Sequence, residues 1–167
     1  MRKHAARLWE PGAEAYLRRF GIGSAKDVEK ILSGFDFARP VYEQPLSIGQ
    51  MYYQFVRTPS ADDENPALGG WYCLKGQELT RLAIHSPGAA RRVGEFQVVE
   101  DVIALEGIAI DMETTTEEQA KYGVGGLGGG TQIYLPPILR SALLFRGLFT
   151  DSGSKAGLSS LPPRGSR

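Results

Sequence analysis

Residues 123–137 read GVGGLGGGTQIYLPP: six glycines, a polar pair, an apolar strand-like run and two prolines. Gly125, Gly126, Gly128, Gly129 and Gly130 admit positive φ and let another body approach the backbone closely. Thr131-Gln132-Ile133-Tyr134-Leu135 then alternates polar and apolar residues, β-branched and aromatic ones among them, which predicts a strand. A loop of this composition can accept a phosphate or a nucleotide on its amides. A plain linker is the competing reading of the same glycines.

Other features narrow the chemistry. No Gly-Lys-Ser/Thr follows the glycines, and no βαβ unit with a downstream acid encloses them, so a kinase or a dinucleotide-binding Rossmann enzyme is disfavoured. Cys73 is the only cysteine, and His4 and His85 are the only histidines. An intramolecular disulfide and a cysteine-rich metal site are thereby excluded, and zinc catalysis and a Ser-His-Asp arrangement find little support; no metal site is expected. Chemistry here must rest on carboxylates, amides, hydroxyls or guanidiniums. Lys+Arg and Asp+Glu are both 19, so overall charge gives no argument for nucleic acid. No apolar run approaches the roughly 20 residues that span a bilayer, and the start MRKHAARLWEPG lacks the apolar stretch of a signal peptide.

The order of elements predicts an α+β fold, with N-terminal helices followed by strands. The 167 residues suit one domain, divided as a helical segment over 1–34, a core over 35–149 and a flexible tail over 150–167. Ala5, Leu8 and Trp9 form an apolar patch. A helix starts near Pro11, with Ala13, Tyr16, Leu17 and Phe20 on one face. Ser24-Ala25-Lys26-Asp27 resembles a capping box for a second helix bearing Val28, Ile31 and Leu32. Phe35 to Pro45 is extended with prolines near an edge, and Ile48-Gly49 is a turn. Met51–Arg57 is a strand with Tyr53, Phe55 and Arg57 on one face and Tyr52, Gln54 and Val56 on the other. Asp62, Asp63 and Glu64 read as a solvated acidic turn. Trp71 to Lys75 is a strand, Leu79 to Ile84 is either helix or strand, and His85 to Gly88 is a turn. Arg91 and Arg92 fall in the loop that follows. Phe96 to Ile110 is the most strand-like region and splits near Glu100-Asp101 or at Gly107. Thr115 or Thr116 caps a short helix through Tyr122. A last helix starts at Pro136-Pro137, with Ile138, Leu139, Ala142, Leu143 and Phe145 on its apolar face and Gly147 at its end.

Gly128-Gly129-Gly130-Thr131-Gln132-Ile133-Tyr134-Leu135 resembles the GGGTQY element of the NAD-degrading tuberculosis necrotizing toxin family. Upstream, Met51–Arg57, Gly70-Trp71-Tyr72, Arg81-Leu82-Ala83 and Phe96–Ile110 follow the family's order of segments, so the resemblance covers roughly 45–147. The chain also looks like NADase effectors of type VI secretion systems. The resemblance implies a split β-sheet core of ADP-ribosyltransferase-like type that binds NAD+ or NADP+ as substrate, with no cofactor. Gln132 matches the family's functional glutamine. The family's arginine falls at Gln54, and Arg57 is the nearest arginine; both remain candidates. The family's histidine falls near Gly94, where this chain has none.

The reaction so implied is hydrolysis of the nicotinamide–ribose bond through a ribosyl cation. In it a glutamine carbonyl orients ribose and water, an arginine clamps the pyrophosphate, and Trp71 or Tyr72 stacks on nicotinamide. Gly129, Gly130 and Thr131 are the remaining substrate-binding candidates. Family transferases often carry a Glu-x-Glu pair; Glu117 and Glu118 are adjacent instead, which favours hydrolysis over ADP-ribosyl transfer. A non-enzymatic binding module is the third reading. By analogy with the family, the expected setting is a secreted antibacterial effector domain acting in the target cell's cytoplasm. The expected partner is a cognate immunity protein that occludes the cleft.

Overall fold

The computed structural model describes residues 8–57, 69–74, 91–110 and 128–150, without the side chains at 56, 57, 91, 149 and 150. The patch residue Ala5, the acidic turn at 62–64, the 79–84 segment, the turn at His85, the helix ending at Tyr122, glycines 123, 125 and 126, and the tail from 151 lie outside the described residues.

Helix α1 (Glu10–Arg19) carries Pro11 in its first turn, where a missing amide hydrogen costs nothing, and buries Ala13, Tyr16 and Leu17. Helix α2 (Ala25–Leu32) is capped by Ser24, whose hydroxyl accepts from the Asp27 amide at 3.2 Å, and buries Val28 and Leu32 one turn apart. Both apolar faces meet the sheet. Tyr16, Leu17, Val28, Leu32 and Phe35 share one core with Val41, Leu105 and Tyr134. The Tyr16 hydroxyl, buried with its ring, donates to the Ile103 carbonyl at 2.6 Å, so its polar end is satisfied.

Seven strands follow: β1 (Tyr42–Leu46), β2 (Met51–Arg57), β3 (Trp71–Cys73), β4 (Arg91–Val98), β5 (Val102–Ile108), β6 (Thr131–Tyr134) and β7 (Leu143–Thr150). They form one antiparallel sheet in the order β1-β5-β6-β3-β2-β4-β7. The α+β architecture with N-terminal helices is therefore present. Pro45 sits in the edge strand β1, where a missing donor is tolerated.

Connection lengths make this sheet curl. From Val98 at the end of β4 to Val102 at the start of β5 the chain takes four steps, which reach about 14 Å at most. In a flat sheet those strands would lie four spacings apart, about 19 Å. The ends of the sheet must therefore bend toward each other. The face away from the helices closes around a core drawn from both halves: Leu46, Tyr72, Val102, Ala104 and Ile133 with Tyr52, Phe96, Val98 and Leu143.

Two elements differ from the sequence reading. Arg91 and Arg92 open β4 rather than lying in a loop, paired with Arg57 and Val56 of β2. Long side chains with low strand preference hide a strand start when the pairing partner decides it. The final helix is only a 3-10 helix over Pro137–Ala142; Leu143–Thr150 is strand β7, hydrogen-bonded to β4. Leu143 and Phe145 fit a period of two as well as one of 3.6, and β4 offers backbone groups that only a neighbouring strand satisfies. The 96–110 region splits at Val99–Asp101, the first of the two expected breaks. Gly107 stays inside β5; a Cβ there would stand 2.6 Å from the Phe35 ring, so its role is to admit Phe35. Among the described residues no helix is long and apolar enough to cross a membrane.

Candidate active site

The sheet has a narrow seam. Among the described residues β2 and β4 share seven register pairs, but β2 and β3 share one, Tyr53 opposite Cys73. Toward Trp71 and Gly69 no further register pair follows, and a side chain takes over from the ladder. Gln54 donates from Nε2 to the carbonyls of Gly69 and Trp71, both at 2.9 Å, and its Oε1 accepts from the Gly69 amide at 3.1 Å. Gln54 thus commits both amide hydrogens and its carbonyl to backbone across the seam.

Register also defines a row of residues crossing the seam on the helix-bearing face. Gly107 of β5 stands opposite Gln132 of β6, Gln132 opposite Cys73 of β3, Cys73 opposite Tyr53 of β2, and Tyr53 opposite Glu95 of β4. Directly opposed residues project to the same side, so Gln132, Cys73, Tyr53 and Glu95 share one face. Gln132 and Glu95 are two of the three buried polar side chains among the described residues, at 4% and 8% exposure; the third is Gln54.

Gln132 is held by the end of α2. Its Nε2 donates to the Gly34 carbonyl at 2.8 Å, which fixes the amide's orientation, since only the NH₂ end can bond a carbonyl. The same carbonyl accepts from the Ile110 amide at 3.1 Å. Gly34 also lies against Trp71: a Cβ there would stand 2.8 Å from the indole. Trp71 in turn sits between Phe35 and Tyr134, with ring centroids 5.0 Å away on each side. Arg140 of the 3-10 helix steadies this corner by donating from Nε to the Leu135 carbonyl at 3.0 Å.

The remaining sequence candidates are dispersed around this row. Tyr72 lies on the opposite face, edge-on to Phe96 at 5.1 Å, and burial pushes its hydroxyl up to about 12. Thr131 opens β6 opposite Ile108, one residue out of phase with Gln132. Gly129 has φ +86 and donates its amide to the Ala109 carbonyl at 2.9 Å; the Gly130 carbonyl accepts from the Ala109 amide at 2.8 Å. This end of the glycine loop is zipped to the chain leaving β5. Arg57 closes β2 opposite Arg91.

Cys73 sits mid-row, and burial pushes its thiol up to about 12, so it is neutral and unsuited to nucleophilic attack. Among the described residues no group of three or more His, Cys, Asp or Glu could hold a metal ion. The polar chemistry of the row therefore lies with an amide, a phenol and a carboxylate. Sequence reading gave no role to Tyr53 or Glu95, which register places on this row. A strand begun at Phe96 leaves Glu95 outside it; an alternation begun at Val93 places Val93 and Glu95 on one face and marks the acid as inward.

No protein-family model matches the chain. No curated protein matches its sequence. Among solved structures the chain is similar to Rhs1-CT in complex with its cognate immunity protein RhsI1, at 21% identity and a TM-score of 0.46, over 83% of this chain and 95% of that one. It is also similar to Tse6 in complex with Tsi6, at 18% identity and a TM-score of 0.63, over 86% of this chain and 98% of that one. The two helices and the seven-stranded antiparallel sheet are a fold this chain shares with Tse6.

Proposed function

We propose that this chain is a toxin domain that hydrolyses NAD+ or NADP+ to nicotinamide and ADP-ribose or its phosphate, on a split sheet of ADP-ribosyltransferase-like type. The observation that carries the reading is Gln132. It belongs to the GGGTQ element, is buried on the row that crosses the one-pair seam, and has its amide oriented by Gly34.

In the proposed reaction the bond from the ribose C1′ to the nicotinamide nitrogen breaks, and its electron pair leaves with nicotinamide. The leaving group departs neutral from a cationic substrate and needs no acid. Water attacks C1′, forms the new C–O bond and releases its proton to solvent. The protein must hold the dinucleotide across the seam and stabilise the ribosyl cation as it forms. Gln132 orients the ribose hydroxyls and the water. Gln54 is a positioning residue that sets the separation of β2 and β3. Trp71, packed between Phe35 and Tyr134 and against the Gly34 that orients Gln132, is the aromatic candidate for nicotinamide.

The fold is one that in Tse6 binds the protein Tsi6. By that likeness the chain is proposed to be an effector acting in a target cell's cytoplasm, its producer protected by an immunity protein lying over the site. Incubation with adenylate-labelled NAD+ and a cell lysate tests the reaction class. Label recovered as free ADP-ribose supports hydrolysis. Label fixed on macromolecules means ADP-ribosyl transfer, and intact NAD+ means a binding module.

A further inference from the structure

We propose that Arg140 is the substrate-binding cation of this site, the guanidinium that holds the dinucleotide's pyrophosphate; the inference rests on the glycohydrolase reading. A dinucleotide carries its negative charge on the pyrophosphate, and an arginine fork is the side chain best matched to it. Gln54 is uncharged and spends its amide on Gly69 and Trp71. Arg140 reaches the same segment of chain. Its Nε donates to the Leu135 carbonyl at 3.0 Å, its Nη2 lies 3.5 Å from the Tyr134 hydroxyl, and its guanidinium carbon is 6.0 Å from the Tyr134 ring centroid. Tyr134 follows Gln132 by two residues on β6, so the two project to one face, about 7 Å apart along the strand. One ribose separates the bond to be cleaved from the pyrophosphate, a span of the same order. With the ribose at Gln132, the pyrophosphate reaches the Tyr134 end of the strand, where the guanidinium lies.

A second observation is the glycine beneath it. A Cβ on Gly70 would run into Nη2 of Arg140, and would stand 2.6 Å from the Leu135 carbonyl and 2.8 Å from the Tyr134 ring. The guanidinium therefore lies directly on the backbone between Gly69 and Trp71, and only a glycine leaves room for it. The third observation is charge. Arg18 and Arg19 are paired with Glu14 and Glu43, whereas Arg140 bonds no carboxylate among the described residues. Nor does its Nη1 have a partner there. Arg140 is half-buried, held by neutral groups, and its charge opposes the upward push of burial on the Tyr72 and Tyr134 hydroxyls. Both Nη1 hydrogens and one on Nη2 are left for phosphate oxygens, which the arginine fork meets in pairs.

The test is calorimetric binding of ADP-ribose, which carries the pyrophosphate, to wild type, Arg140→Gln and Arg140→Lys, each checked for cooperative unfolding. Both variants lose the bond to Leu135, but Arg140→Lys keeps the charge. The inference predicts affinity at least tenfold weaker in Arg140→Gln, largely restored in Arg140→Lys, and salt-sensitive only where the charge is kept. The KM for NAD+ should follow the same order, with kcat within about threefold of wild type. Equal affinity in all three proteins, equal weakness in both variants, or no binding by wild type overturns it. If the variants do not fold, phenylglyoxal labelling of wild type decides: protection of Arg140 by ADP-ribose supports the assignment, and equal labelling overturns it. Nicotinamide release by wild type is read separately. Its absence removes the glycohydrolase reading while Arg140-dependent binding of ADP-ribose still stands.

Discussion

Gly34 and Gln132 stand 98 residues apart in the chain, yet the Gln132 amide donates to the Gly34 carbonyl at 2.8 Å. A residue just past the end of α2 therefore orients the glutamine of β6. It also lies against Trp71, so the indole and the glutamine share this neighbour. The helices contribute to the site through this one glycine as well as through the core they bury.

Gly34→Ala tests that link. The added methyl would stand 2.8 and 2.9 Å from two indole carbons, so the ring must move. The expected cost is about 1–2 kcal/mol of stability, with a shifted Trp71 emission. Nicotinamide release should fall with the displaced Gln132. Unchanged fluorescence and activity would mean that Gly34 does not position the pair.

Gln54→Ala should destabilise the protein by about 2–4 kcal/mol, because the amide and carbonyl of Gly69 and the carbonyl of Trp71 lose their partner in a part-buried seam. Gln54→Glu should be at least as harmful, since it sets a carboxylate against two carbonyl oxygens. Urea unfolding measures both. Where a variant remains folded, its KM should rise more than its kcat falls, as befits a residue that sets strand separation.

Alkaline pH should unfold the protein. The folded-state values of Cys73, Tyr52 and Tyr72 are pushed up to about 12 by burial, against ordinary values of 9.0 for the thiol and 10.0 for the phenols. Each neutral form is favoured in the fold, so its contribution is present in full below the unfolded value and is lost as pH rises through the folded one. Stability is therefore expected to decline from about pH 9 upward. Cys73 should resist alkylation at pH 8 in the native protein and react once it is unfolded.

Local patterns in the sequence foretold much of this fold. Pro11, the Ser24 cap and the Val28–Leu32 stripe mark the two helices, and the alternation in 51–57 gives β2 its two faces. What was not legible depends on partners distant in the chain. Arg91 and Arg92 are strand residues because β2 pairs with them, and Leu143–Thr150 is a strand because β4 requires a neighbour. The same holds for the site. Gln132 stands out locally, beside its glycines. Glu95 and Tyr53 join its row only when register aligns four strands, and Gln54 reveals its bonds to Gly69 and Trp71 only beside the single β2–β3 pair.

The most direct test of the account is the initial rate of nicotinamide release from NAD+ by wild type and by Gln132→Ala, each checked for cooperative unfolding. The Gly34 carbonyl keeps its bond from Ile110 in the variant, so that carbonyl is not left unsatisfied. The account predicts steady release by wild type and a rate lower by at least 100-fold in the folded variant. Equal rates would remove Gln132 from the chemistry, and no release by folded wild type would contradict the glycohydrolase reading altogether.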